Sequence, residues 1–207
     1  MNTTIIEMIL LICGIIAPLL NFITDRIVGG QIKGYSFSAQ SISELSAIGS
    51  PKRTLFIILS FIVCLFITSF GIGVWIVSEQ SILIRIIGLL IIGNSIFGLI
   101  ATIFFPIQYG KRPKFLNIGV LIMFFSVLFF IFAIIIGAIA INGWFRIFSI
   151  AIPIAYILLA ILRYATTSKR NNSNTVSLIG SQERTMSYSY LLWVVVFAFY
   201  LLSIRSI

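Results

Sequence analysis

Side chains able to do defined chemistry are few in this chain and lie in short stretches. Ser41-Ile-Ser43-Glu44 places two hydroxyls and a carboxylate within four residues, and Gly180-Ser-Gln-Glu183-Arg184 sets a carboxylate beside a guanidinium. Asn94-Ser95 lies inside a long apolar run. The Ser41-x-x-Glu44 spacing is that of a capping box, in which the serine bonds the N3 amide and the glutamate reaches back. Glu44 therefore reads either as a helix cap or as a polar anchor in a site. A carboxylate facing Arg184 could form a bidentate pair. A Glu44–Arg184 contact is the expectation, tying the first loop to the last apolar run and framing a site. The cluster Lys111, Arg112 and Lys114 suits lipid phosphate or marks topology.

Other chemistries are excluded or left without residues. The 207-residue chain has no histidine, which removes the commonest acid/base catalyst and metal ligand. Cys13 and Cys64 lie in separate apolar runs with no ligand-spaced partners, so neither a metal site nor a cofactor is expected. No nucleophile–base pair is visible. The net charge of +9 comes from basic residues that flank apolar runs, which argues against nucleic acid.

The elements that must position these residues follow from composition. Hydrophobic residues make up 60% of the chain and charged ones 9%, against about 25% charged in a soluble domain. The mean hydropathy is +1.17. Such a chain cannot cover a globule with a polar skin, and its runs are continuously apolar, without the alternation of a β-barrel. The fold expected is all-α: a polytopic membrane protein of six transmembrane helices in one bundle and one domain, 1–207. The spans run at about 5–24, 54–77, 82–105, 115–141, 144–164 and 188–204. A short amphipathic interfacial helix is expected near 42–48, with Ile42, Leu45 and Ile48 on one face. Gly49 would stop it, and Pro51 would open the next helix. Asp25, at the end of the first span beside Arg26, reads as interfacial. Gly88, Asn94, Ser95, Gly98 and Thr102 read first as a helix-packing stripe.

Six spans put both termini on one side. Eleven Lys or Arg fall in or beside loops 25–53, 106–114 and 165–187, and three (Arg85, Arg146 and Arg205) fall on the other face. The positive-inside rule makes those loops cytoplasmic and both termini external, in the cell membrane. The cytoplasmic loops are also the long ones, where function more often resides.

Three motifs together resemble a known group. Ser41-Ile-Ser-Glu44-Leu with the following Gly-Ser-Pro, Ile103-Phe-Phe-Pro106, and Gly180-x-x-Glu-Arg184 before a Trp-containing last helix resemble the domain-of-unknown-function family 998. These are uncharacterised six-helix membrane proteins of bacteria and archaea. The resemblance implies that fold and no established activity. Members often carry an aspartate after the Phe-Pro and a histidine in the next helix. Here Ile107 or Gln108, and Asn117, stand in those places, so a chemistry needing that pair would be lost.

The function expected is non-enzymatic: binding of a lipid or other amphipathic ligand, or of a partner membrane protein, through the cytoplasmic half. Ser41, Ser43, Glu44, Glu183 and Arg184 would be the polar contacts, with Asn94 lining the site. Membrane lipids, another membrane protein or further copies of the chain are the partners considered. A small transporter or channel component is the alternative, and a lipid-modifying enzyme using Glu44 comes third.

Overall fold

The computed structural model describes residues 5–78, 81–109, 118–168 and 179–205. Six α-helices account for nearly all of them: α1 (Ile5–Gly30), α2 (Arg53–Val77), α3 (Ile82–Phe104), α4 (Ile118–Ala140), α5 (Trp144–Ser168) and α6 (Ile179–Arg205). A 3₁₀ helix (Ile42–Ser46) lies between α1 and α2. Five of the six helices are long and apolar enough to cross a membrane, and the described apolar part of α5, Trp144–Leu159, is shorter. The chain is a polytopic helical membrane protein, as its composition requires. Apolar side chains such as Ile9, Leu65, Phe124 and Phe199 stand exposed on the outer surface, where a bilayer solvates them.

Neighbours in sequence pack together from α1 to α4, α6 returns against α1, and α5 lies between α4 and α6. The core gathers Phe70, Phe145, Trp193 and Phe197, all fully buried. Trp193 stacks on Phe197 at 5.1 Å and donates its indole N–H to Ser149. The small-residue stripe of α3 does pack helices. A Cβ on Gly88 would lie 2.7 Å from the Gly71 carbonyl oxygen, so α2 and α3 cross here only because both residues lack a side chain.

Four local expectations need correction. The helix after Ser41 is 3₁₀, not a two-turn α-helix, and it stops at Ser46. Leu45 is fully buried but Ile48 is 57% exposed, so Ile42, Leu45 and Ile48 share no buried face. The chain extends at Ala47 because Ile48 pairs through its backbone with the next loop, its N–H on the Ile107 carbonyl and its carbonyl on the Tyr109 N–H. Pro51 stands before α2, which begins at Arg53. α6 begins at Ile179, nine residues ahead of the apolar run, because the polar Glu183 and Arg184 find hydrogen-bond partners within the protein.

Candidate functional site

The first loop is held by one guanidinium. Arg184, 4% exposed, donates Nε and Nη2 to the two oxygens of Asp25, at 2.9 and 2.8 Å. Its Nη1 donates to the backbone carbonyls of Phe37 and Gln40, and Nη2 also reaches the Tyr35 hydroxyl at 2.7 Å. Phe37 lies under the guanidinium, 5.1 Å from its ring centroid. Tyr188 donates a short hydrogen bond to the same carboxylate. Tyr35 in turn donates to the Ser41 carbonyl at 2.8 Å. Its phenol is pushed up to about 12 by burial, against the pull of the Arg184 charge. Two expectations fall here. Glu44 does not contact Arg184, and Asp25 is not interfacial: at 1% exposure it is the buried counter-ion. α1 runs past Thr24 to Gly30, and this carries Asp25 inward to face α6.

The two glutamates go elsewhere. Glu44 sits in the turn that Ser41 caps: the Ser41 hydroxyl accepts from the Glu44 N–H at 3.2 Å. Its carboxylate accepts from the Gln40 amide at 3.0 Å, and that amide also reaches the Tyr109 hydroxyl. Glu183 accepts from the Ser43 hydroxyl at 2.7 Å and from the Ser43 N–H at 3.3 Å. Among the described residues neither glutamate forms an ion pair.

Both glutamates line an open-sided cavity of about 730 Å³ between the loops, α2, α3, α4 and α6, to which α1 adds Asn21. Its walls follow helical spacing. Phe56, Ser60, Val63, Cys64 and Ile67 line it on α2, and Glu183, Ser187 and Tyr190 on α6. In α3 and α6 the lining positions lie in the half nearest the loops, and in α2 and α4 they reach just past the middle, to Ile67 and Phe130. From Phe56 to Ile67 the wall climbs roughly 16 Å, about one leaflet of a hydrocarbon core roughly 30 Å thick. The loop end is polar, with Gln40, Ser43, Glu44 and Glu183. The deep part is mostly apolar, with Ile67, Phe130 and Leu191, and holds the polar groups of Asn94, Ser95 and Ser126, which bond across α2, α3 and α4.

Of the residues expected to form a site, Ser41, Ser43, Glu44, Asn94 and Glu183 line this one cavity, while Arg184 lies off its wall. Asn94 lines it with its amide engaged, donating to the Ser126 carbonyl and hydroxyl at 2.8 and 3.0 Å, which joins α3 to α4. Lys111, Arg112, Lys114 and Asn117 lie outside the described residues. Sequence reasoning missed Ser60, Cys64, Ser126, Ser187 and Tyr190. The signal was there: Glu183, Ser187 and Tyr190 stand at i, i+4 and i+7 on one face of α6.

Among the described residues no cluster of His, Cys, Asp or Glu could hold a metal ion. A family model described as a protein of unknown function, DUF998, matches residues 15–200. None of the curated proteins matches the chain, and none of the solved structures does.

Proposed function

The chain belongs to the DUF998 family of proteins of unknown function, and for this member we propose the binding of an amphipathic ligand in the cavity at the loop end of the bundle. The observation that carries this reading is the shape of that cavity. It is about 730 Å³, within the roughly 300–1,000 Å³ of small-molecule sites. It is polar at the loops, mostly apolar inside and about one leaflet deep, which are the proportions of a lipid-like molecule standing with its head among the loops. Transport has less support. Beyond Ile67 and Leu191 the bundle closes on the apolar core of Phe70, Phe145 and Phe197, with no polar continuation among the described residues.

Cys64 supplies the test, because it lines the cavity while Cys13 is buried in the core. In a Cys13→Ala background, carried in an uncharged amphipol, a small lipophilic maleimide should label Cys64. A single-chain lysolipid at about ten times its dissociation constant should slow that labelling about tenfold by occupancy. Labelling that stays fast at saturating lysolipid would overturn the reading.

A further inference from the structure

The lining says which amphiphile fits. Glu44 and Glu183 stand at the polar end, on different elements, each held by hydrogen bonds and neither ion-paired among the described residues. No described lining residue is a lysine or arginine. Arg184, beside Glu183 in sequence, is committed to Asp25, and Arg53 spends its guanidinium on the carbonyls of Ser46 and Ile103. A carboxylate drawn out of water without a cation is costly, so this end of the cavity favours a positive head and disfavours an anionic one.

A second polar group lies deeper. Tyr190 is 7% exposed, lines the cavity and packs its ring 5.2 Å from that of Phe130. Its hydroxyl is buried with no hydrogen-bond partner, one of two such side-chain atoms among the described residues. A buried hydroxyl without a partner costs about 1–3 kcal/mol. Tyr190 is seven residues beyond Glu183 on the same face of α6, roughly 10 Å deeper along the axis. The cavity thus offers acceptors for a cation at its mouth and a donor about two turns further in.

We propose that the ligand is an acyl amphiphile with an ammonium head, its ammonium between Glu44 and Glu183 and its acyl carbonyl accepting from the Tyr190 hydroxyl. This rests on the reading of the cavity as an amphiphile site and names the ligand class. The test uses three probes of equal chain length: lysophosphatidylethanolamine, its N-acetyl derivative, which loses the positive charge, and its ether-linked analogue, which lacks the carbonyl. Each is measured by its protection of Cys64 in the full-length Cys13→Ala protein.

The parent lysolipid should bind about tenfold more tightly than the N-acetyl form, the equivalent of about 1.4 kcal/mol. It should also be favoured over the ether form. Glu183→Gln keeps an oxygen for Ser43 and should abolish the first preference. Glu44→Gln is the second variant for the same role. Tyr190→Phe should abolish the second preference and leave the first. Equal protection by all three probes would sink the ligand class while leaving the amphiphile site standing. Protection by none would bring down both.

Discussion

At the residue scale, one buried ion pair decides how the loops are held, and its two halves are not equal. Arg184 serves six acceptor atoms on five residues of α1, the first loop and α6 itself. Asp25 receives the guanidinium through both oxygens, with Tyr188 on the same carboxylate. Removing one member leaves the other charge buried and uncompensated. Asp25→Asn should therefore lower stability by about 3–5 kcal/mol, and Arg184→Lys should also lose, because an ammonium cannot reproduce the planar fork. Glu44→Gln should cost under about 1 kcal/mol, since Glu44 takes no part in the pair. Unfolding in non-ionic detergent, followed by circular dichroism, measures all three. A Glu44→Gln loss as large as that of Asp25→Asn would contradict this assignment. Sequence reasoning recognised that Arg184 needed a carboxylate and chose the wrong one. Asp25 and Arg184 are 159 positions apart, and Asp25 beside Arg26 reads as a local surface pair until α1 is known to continue to Gly30.

At the scale of elements, α6 can meet the first loop only because Gly180 has no side chain. A Cβ there would run into the Gln40 carbonyl oxygen, and would lie 2.7 Å from the carbon of the same carbonyl and 2.8 Å from the Phe37 oxygen. These are the two carbonyls that Arg184 grips. Gly180→Ala should destabilise the protein by about 1–3 kcal/mol from overpacking, although helix propensity alone would favour alanine by about 1 kcal/mol. The sign of the thermal shift therefore tests the contact, and hydrogen exchange at Gln40–Ser43 should rise with it. The helices themselves were legible, because a span is written in local hydropathy. The loop was legible only in part. Ser41 does cap Glu44, as the motif requires, but the 3₁₀ turn and the exposure of Ile48 follow from backbone pairing with Ile107 and Tyr109, which no local pattern encodes. Three of the expected polar contacts, Ser41, Ser43 and Glu44, could be placed together because they are neighbours in sequence. That Glu183 and Asn94 share their cavity comes from the folding of α3 and α6 around it.

For the whole molecule, the question is which leaflet the cavity occupies. Its polar end lies with the loops that follow α1, α3 and α5, and those loops with their flanks carry eleven of the fourteen basic residues. Arg184 is matched by Asp25 inside the protein and adds little to the field, which leaves ten against the three at Arg85, Arg146 and Arg205. Lys and Arg near span ends set orientation and Asp and Glu contribute little, so the orientation we predict from this margin has the loop end in the cytoplasm. The cavity then draws on the inner leaflet, whose anionic surface also attracts the basic flanks. A protein lacking Cys13 and Cys64 allows a direct test in intact cells. With Asn172→Cys as the only thiol, an impermeant maleimide should fail to label until the membrane is opened. With Ile207→Cys as the only thiol, labelling should be complete in intact cells. The reverse pattern would place the cavity in the outer leaflet, and the search for its ammonium-headed ligand would move to the lipids of that side.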